Sequence, residues 1–203
     1  KDESSRFGLG SFKALGGAYA VSRLATDYEH SRGSLDGFSV ATATDGNHGR
    51  SVAWGAQRLG LECHIFIHAH VSQVRADAMA ALGAHIHRVD GNYDDSLVAC
   101  EQMAAESDWQ IVSDTSWEGY ESVPLDVMAG YTVMAREIVA QLNGVVPTHC
   151  FIPAGCGGLA GAMLTYFWHT WGEQLPRIVV VESAMSDCVF QSISNQNLTM
   201  MHI

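Results

Sequence analysis

Lys13 is one of only two lysines in this chain, and its position is more unusual than its type. It lies in the segment Gly10-Ser11-Phe12-Lys13-Ala14-Leu15-Gly16-Gly17, at the start of an apolar helical pattern. Because burial disfavours the ammonium form of a lysine, a lysine in such a place can act as a nucleophile or a Schiff-base amine. The alternative is a lysine whose stem packs on the helix while its amine reaches water.

A second polar cluster, Thr44-Asp45-Gly46-Asn47-His48-Gly49, follows an apolar run at the start of another helical pattern. A hydroxyl and an amide at a helix N-terminus can bind an anion, and Asp45 adds a carboxylate. Simple helix capping is the alternative, since threonine, aspartate and asparagine are all favoured at N-caps. Three such residues bracketed by glycine favour a functional turn.

The third feature is the glycine-rich stretch Pro153-Ala154-Gly155-Cys156-Gly157-Gly158-Leu159-Ala160-Gly161. Exposed N–H groups at a helix N-terminus can bind a phosphate. The stretch lacks the Gly-Lys-Ser/Thr ending of a P-loop, which argues against a nucleoside triphosphate. The pattern Gly155-x-Gly157-x-x-Ala160, with Glu182 further on, also matches a dinucleotide site weakly. Close packing of a helix on a sheet is the alternative that needs no ligand.

The segment Asp114-Thr115-Ser116-Trp117-Glu118-Gly119-Tyr120 follows a fourth apolar run and is polar and aromatic. It could line a pocket for an amino-acid substrate, or it could be an ordinary loop between domains. The segment alone does not separate these two interpretations.

Strand and helix patterns alternate along the chain, which predicts βαβ units and parallel sheets. Helices are predicted at 11–28, 47–59, 72–82, 94–106, 125–142 and 158–171, with a short one after 182; strands are predicted at 38–43, 62–68, 85–89, 110–114, 150–153 and, buried, at 177–182. We expect an α/β fold of two open, mostly parallel domains, one formed by 1–37 and 122–203 and a smaller one by 38–121. In such sheets ligands bind at the carboxyl ends of the strands.

Composition limits the classes of partner. A formal charge of −11 argues against nucleic acid and anionic membranes, and no apolar run is long enough to span a bilayer. Five scattered cysteines without a CxxC pair predict reduced thiols and a cytoplasmic location. The histidines lack acidic or cysteine partners at ligand spacing, so no metal site is expected. The opening residues are those expected inside a longer chain.

A lysine, an anion-binding turn and a phosphate cradle on one α/β scaffold suggest pyridoxal 5'-phosphate held as a Schiff base. Ser11-Phe12-Lys13, Gly46-Asn47-His48-Gly49 and Gly155-Cys156-Gly157-Gly158 resemble the three signatures of the tryptophan-synthase-β-like (fold type II) pyridoxal-phosphate enzymes. Within them, the opening nine residues, 44–50 and Asp114-Thr115-x-Trp117-Glu118-Gly119-Tyr120 most resemble the diaminopropionate ammonia-lyase family. Pro124 and 128–131 extend that likeness.

The resemblance implies a role for each matching position. Lys13 would form the Schiff base, Asn47 would bind the cofactor's ring hydroxyl, and Thr44 would help bind the substrate carboxylate. Asp45 would be an acid/base or a counter-ion to a second substrate amine, and Asp114 a second acidic contact. The phosphate would be bound by the glycine loop, which comprises Gly155, Cys156, Gly157, Gly158 and Leu159.

The activity implied is α,β-elimination of ammonia from 2,3-diaminopropionate, giving pyruvate and ammonia. Family members are longer at both ends, so we expect a chain that is incomplete at both termini. We also expect a homodimer. One alternative is a serine/threonine dehydratase or a β-replacing synthase. Another is a non-catalytic module, either a truncated pseudoenzyme or a dinucleotide binder.

Overall fold

The computed structural model describes residues 1–197, which form two compact units. One comprises residues 2–130, and the other comprises Lys1 with the chain from Tyr131 onward. The sequence-based division into 1–37 with 122–203 and 38–121 stays a prediction. The segments 2–37 and 122–130 belong to the same unit as 38–121.

The first unit is built on a four-stranded parallel sheet with the order β3-β2-β1-β4. Its central strand β1 is buried along its whole length, as expected of a strand covered on both faces. Ala41 is paired with His64 on one side and with Ile111 on the other. The strands are β1 (Ser39–Ala43), β2 (Glu62–His68), β3 (His85–Val89) and β4 (Gln110–Ile111).

Helices connect these strands, and local residues set their ends. Gly33 and Gly60 end α1 and α2 in the left-handed conformation that glycine adopts without strain. At the start of α4, Asn92 and Asp95 exchange side-chain to backbone hydrogen bonds as a capping box. The helices are α1 (Lys13–Arg32), α2 (Asn47–Leu59), α3 (Gln73–Ala80), α4 (Tyr93–Ser107) and α5 (Ser122–Gln141), preceded by a 3₁₀ turn at Arg6–Gly8.

Several boundaries differ by one to four residues from the sequence prediction, and α1 spans Lys13–Arg32 instead of 11–28. Helix α5 begins at Ser122 instead of the predicted 125, so Pro124 lies in its first turn, where a missing N–H costs no intrahelical hydrogen bond. Strand β4 ends at Ile111 instead of residue 114, although Val112 N–H still donates to Ala41 O at 2.8 Å. The chain therefore leaves the sheet just before Asp114.

The second unit contains a two-stranded parallel sheet of β5 (His149–Pro153) and β6 (Arg177–Val181). Helix α6 (Gly158–Trp171) connects the strands, a 3₁₀ turn at Gly172–Gln174 follows it, and α7 (Cys188–Asn195) comes last. The prediction that β6 is buried is wrong for the described chain, where its residues are half-buried or exposed. Within residues 1–197 only β5 pairs with it. None of the described helices is both long and apolar enough to cross a membrane.

Three histidines lie together on β2 and β3 of the first unit. His64 is paired with His85 in the sheet, and its Nδ1 is 3.2 Å from His87 Nε2. Its ring also stacks on Trp109 at 3.6 Å between centroids. Desolvation, reinforced by His85 and His87 and opposed by Glu62, lowers the pKa of His64 from 6.5 to about 4. The folded protein therefore keeps His64 neutral well below the pH at which an unfolded chain protonates it.

This cluster predicts acid destabilisation. Between pH 6.5 and about 4 the unfolded state binds a proton at His64 that the folded state does not. The free energy of unfolding should therefore fall by roughly 2 kcal/mol over that range, with no contribution from His64 above it. His64→Phe, which keeps a stacking ring, should flatten the decline in urea denaturation, whereas His30→Phe on the exposed face of α1 should not. Equal pH dependence in the His64 variant and the unsubstituted chain would contradict this assignment.

Candidate active site

Lys13 is the first residue of α1, and its amine pairs with a carboxylate 101 positions away. Ser11 Oγ accepts the Lys13 backbone N–H at 3.2 Å and so fixes the start of the helix. The Lys13 side chain is 24 % exposed, and its Nζ donates to Asp114 Oδ2. Lys13 is thus placed by an ion pair while part of it remains accessible.

Asp114 lies just beyond β4 and is the acidic centre of this cluster. Burial opposes its ionisation, but the charges of His48 and Lys13 outweigh burial and lower the pKa of Asp114 to about 2. The carboxylate therefore remains ionised throughout the neutral range. An ionised carboxylate on Lys13 favours the ammonium form of that lysine.

The turn after β1 holds three of the predicted site residues in different ways. Thr44 is buried, and its Oγ1 accepts the N–H groups of Gly46 and Gly49, each at 3.1 Å. Asn47 begins α2 and is exposed. Asp45 is also exposed, with Oδ1 at 3.1 Å from His68 Nε2. The Thr44 hydroxyl therefore shapes the turn, while Asn47 and Asp45 are accessible to a ligand.

His48 is a site residue that the sequence analysis did not single out. Its ring is buried, with Nε2 at 2.7 Å from Val112 O and Nδ1 at 3.7 Å from Asp114 Oδ2. Its place beside Asn47 in the glycine turn was the available signal. The contacts that matter are more than 60 residues away in the chain, so local pattern could not reveal them.

Tyr120, the last residue of the segment 114–120, fixes the conformation of that segment by hydrogen bonds to the backbone before it. Tyr120 OH accepts the Ser113 N–H at 3.0 Å and donates to Ile111 O at 2.7 Å. Its ring stacks on Trp117 at 4.1 Å, and burial raises the pKa of the phenol, which stays protonated. These aromatic residues therefore position the chain around Asp114.

The glycine loop, in the second unit, connects β5 to α6. Gly157 precedes α6 in a left-handed conformation with φ of 88° and has no side chain to cap it. The N–H groups of the first turn of a helix have no acceptor within that helix, and the helix dipole adds partial positive charge. A Cβ at Gly155 would meet no atom within 4 Å, so the loop is open there. The arrangement suits an anion such as phosphate.

Glu182 was the acidic residue of the weak dinucleotide pattern, and the structure gives it another role. Its Oε1 accepts the Val189 N–H at 3.0 Å, and its Oε2 accepts the Phe190 N–H at 2.8 Å. Both oxygens therefore cap α7. A carboxylate whose oxygens already accept two backbone N–H groups is a poor partner for a ribose hydroxyl. The glycine loop is therefore better suited to a phosphate group than to a dinucleotide.

The structure brings Lys13, His48 and Asp114 together in the first unit, with Thr44, Asp45 and Asn47 at the end of the neighbouring strand β1. The residues of the glycine loop belong to the second unit. Within residues 1–197 no group of three or more histidine, cysteine or acidic side chains is arranged to hold a metal ion.

Comparisons with known proteins give this geometry a context. Diaminopropionate ammonia-lyase of Escherichia coli K12 is 41% identical over an alignment of 205 positions, which covers 95% of this chain and 52% of the relative. The holo crystal structure of the Escherichia coli enzyme superposes with a TM-score of 0.92 at 39% identity, covering 100% of this chain and 55% of that one. A complex with an aminoacrylate-PLP azomethine reaction intermediate gives a TM-score of 0.91 at 40% identity, covering 99% and 54%.

The chain thus spans about half the length of the relatives it matches. The predicted α/β fold of type II is confirmed by these structures. The family model described as "Pyridoxal-phosphate dependent enzyme" matches residues 1–202. Taken with the pairing of Lys13 and Asp114, that match shows that the chain belongs to the pyridoxal-phosphate dependent enzymes.

Proposed function

We propose that this chain carries catalytic residues of an ammonia-lyase that eliminates ammonia from 2,3-diaminopropionate and yields pyruvate and ammonia. The observation that carries the proposal is the Lys13–Asp114 ion pair at the carboxyl edge of a parallel sheet. The 41% identity to a diaminopropionate ammonia-lyase supports the choice of substrate. The chain spans half of that relative, so the activity is proposed for the whole protein.

The described residues fit pyridoxal phosphate. Lys13 offers an accessible amine for the cofactor's aldehyde, and Asn47 offers an exposed amide for its ring hydroxyl. The backbone from Gly155 to Leu159 lies at the N-terminus of α6, where Gly157 supplies no side-chain cap, and offers N–H groups for the phosphate. When bound, the cofactor supplies an electron sink for the bond broken at the substrate Cα.

The chain's own groups then hold and move protons. Asp114 orients the Lys13 amine, and once that amine is neutral it can take the proton from the substrate Cα. Asp45, accessible at the end of β1, provides a counter-charge for the second amine of a diamine or a second acid/base. A homodimer in the cytoplasm is also part of this proposal.

The first test is the visible absorption spectrum of the protein mixed with pyridoxal phosphate. We expect a visible band that saturates at one cofactor per chain and is absent from Lys13→Ala and Lys13→Arg, because Lys13 provides the reacting amine. Lys1→Ala is the matched control, since Lys1 is the other lysine and pairs with Glu137 at 2.8 Å. A band that persists in Lys13→Ala, or none in the unsubstituted protein, would reject the proposal.

A further inference from the structure

His48 is buried, and each of its two ring nitrogens faces an oxygen atom that can accept a hydrogen bond. Nε2 is 2.7 Å from the carbonyl oxygen of Val112. A carbonyl can only accept, so Nε2 must carry a proton, and this contact fixes both the tautomer and the ring orientation. The ring is thereby aimed by a backbone atom that cannot titrate.

The other nitrogen faces a carboxylate. Nδ1 is 3.7 Å from Asp114 Oδ2 and is buried without a hydrogen-bond partner. In the neutral ring with Nε2 protonated, Nδ1 directs a lone pair at that carboxylate, which is electrostatically unfavourable. A second ring proton changes the contact into an attractive ion pair. The orientation that Val112 imposes is therefore favourable only with a proton between His48 and Asp114.

Lys13 is bound to the same carboxylate oxygen. Asp114 Oδ2 accepts from Lys13 Nζ, so the carboxylate has two basic partners on one atom. Tyr120 also interacts with Asp114 and with Cys100, and burial raises the pKa of Tyr120 and of Cys100, so neither carries charge near neutral pH. Lys13 of α1 and His48 of α2 are thus two bases that can each balance the charge on Asp114.

We propose that His48 is a positioning residue that becomes the counter-charge of Asp114 when the Lys13 ammonium group loses its proton. This inference rests on the proposed function, in which Lys13 must become neutral to act. With Lys13 charged, the carboxylate is already balanced and a second positive charge adds little. With Lys13 neutral, His48 takes up a proton at Nδ1 and keeps the carboxylate ionised and in place.

The charge exchange can be tested in the chain without cofactor. We expect the 15N signals of the His48 ring to titrate at a pH about one unit higher in Lys13→Ala than in the unsubstituted chain, and lower in Asp114→Asn. His48→Gln assigns the signals, and His30, exposed on α1, should titrate identically in all variants. Unchanged titration of His48 in both variants would overturn the inference and leave the proposed function untouched.

His48→Asn and His48→Gln test whether His48 positions Asp114 or only anchors its own ring on Val112. Asparagine places its amide N–H where Nδ1 lies, facing Asp114, while glutamine keeps only the donor to Val112. Neither amide can carry the positive charge, so we expect both variants to lower kcat for elimination with KM unchanged, His48→Asn about threefold and His48→Gln about tenfold. The opposite order would show that His48 is only an anchor. Because the titration needs no cofactor, it decides the matter even if the chain shows no elimination.

Discussion

Replacing Gly130 with alanine is expected to lower the free energy of unfolding by about 3 kcal/mol or more. A Cβ at Gly130 would lie 2.2 Å from Leu15 O, 2.8 Å from Gly16 Cα and 2.9 Å from Leu15 C. All three are backbone atoms, so no side-chain rotation relieves the clash. Helix α5 or the first turn of α1 would have to move, and with it the neighbouring residue Lys13.

Urea denaturation followed by circular dichroism measures this effect, and a fall in midpoint at unchanged m-value would identify lost stability. Gly155→Ala is the matched control, because a Cβ there meets nothing within 4 Å and its unfolding midpoint should not change. If Gly130→Ala unfolds at the same urea concentration as Gly155→Ala, the inference that α5 and α1 lie too close for a methyl group at Gly130 is wrong.

A glycine within α1 itself, Gly17, gives an internal comparison. A Cβ at Gly17 would lie 1.9 Å from Ser51 Oγ and 3.0 Å from Ser51 Cβ, both side-chain atoms of α2. Gly17→Ala should therefore cost less than Gly130→Ala, and Ser51→Gly should recover part of that cost. Gly130 brings α5 against the backbone of the first turn of α1, and Gly17 brings α1 against Ser51 of α2.

The sequence was sufficient for most elements because each carries its own signals. Helix α2 and strands β2 and β3 have the predicted bounds, and Gly60 ends α2 as expected. What failed depended on distant parts of the chain. The exposure of β6 depends on how many strands pair beside it, and no residue within β6 carries that information.

The candidate site likewise contains residues that local sequence pattern could identify and residues that it could not. Lys13 and Asp45 could be selected from local pattern, because an isolated lysine and a carboxylate in a glycine turn are unusual in themselves. His48 could not, since its importance comes from Val112 and Asp114, which the parallel sheet brings beside it. Thr44 shows the converse: its type suits a ligand, yet its hydroxyl serves two backbone N–H groups of the turn. The role of each predicted site residue stays a prediction.

Asp45→Asn is expected to lower elimination from diaminopropionate about 30-fold while changing pyruvate formation from serine less than about threefold. Diaminopropionate carries a second ammonium group, whereas serine carries a neutral hydroxyl at that position. A hydrogen bond between charged groups contributes about 1.5–3 kcal/mol, which corresponds to roughly 10- to 150-fold in rate or affinity. Only the diamine loses that contact when the carboxylate becomes an amide.

Asp45 already pairs with His68, and a substrate amine that binds Asp45 would have to displace that histidine. Its carboxylate is 3.1 Å from His68 Nε2, and the Asp45 side chain is 55% exposed. An exposed carboxylate paired with one histidine can turn toward a ligand at little cost, since such surface pairs contribute at most about 1 kcal/mol. His68→Gln should therefore change elimination from diaminopropionate by less than about fivefold, which separates loss of the pair from loss of the carboxylate.

Comparing the two substrates decides between the two roles open to Asp45. Pyruvate released from each substrate is measured for the unsubstituted protein, Asp45→Asn and Asp114→Asn under identical conditions. Asp114 contacts Lys13, which in the proposed function acts on the Cα common to both substrates, so Asp114→Asn should slow both reactions alike. If Asp45→Asn also slows both alike, Asp45 acts on that shared proton as an acid/base. A selective loss with the diamine instead makes Asp45 the residue that distinguishes diaminopropionate from serine.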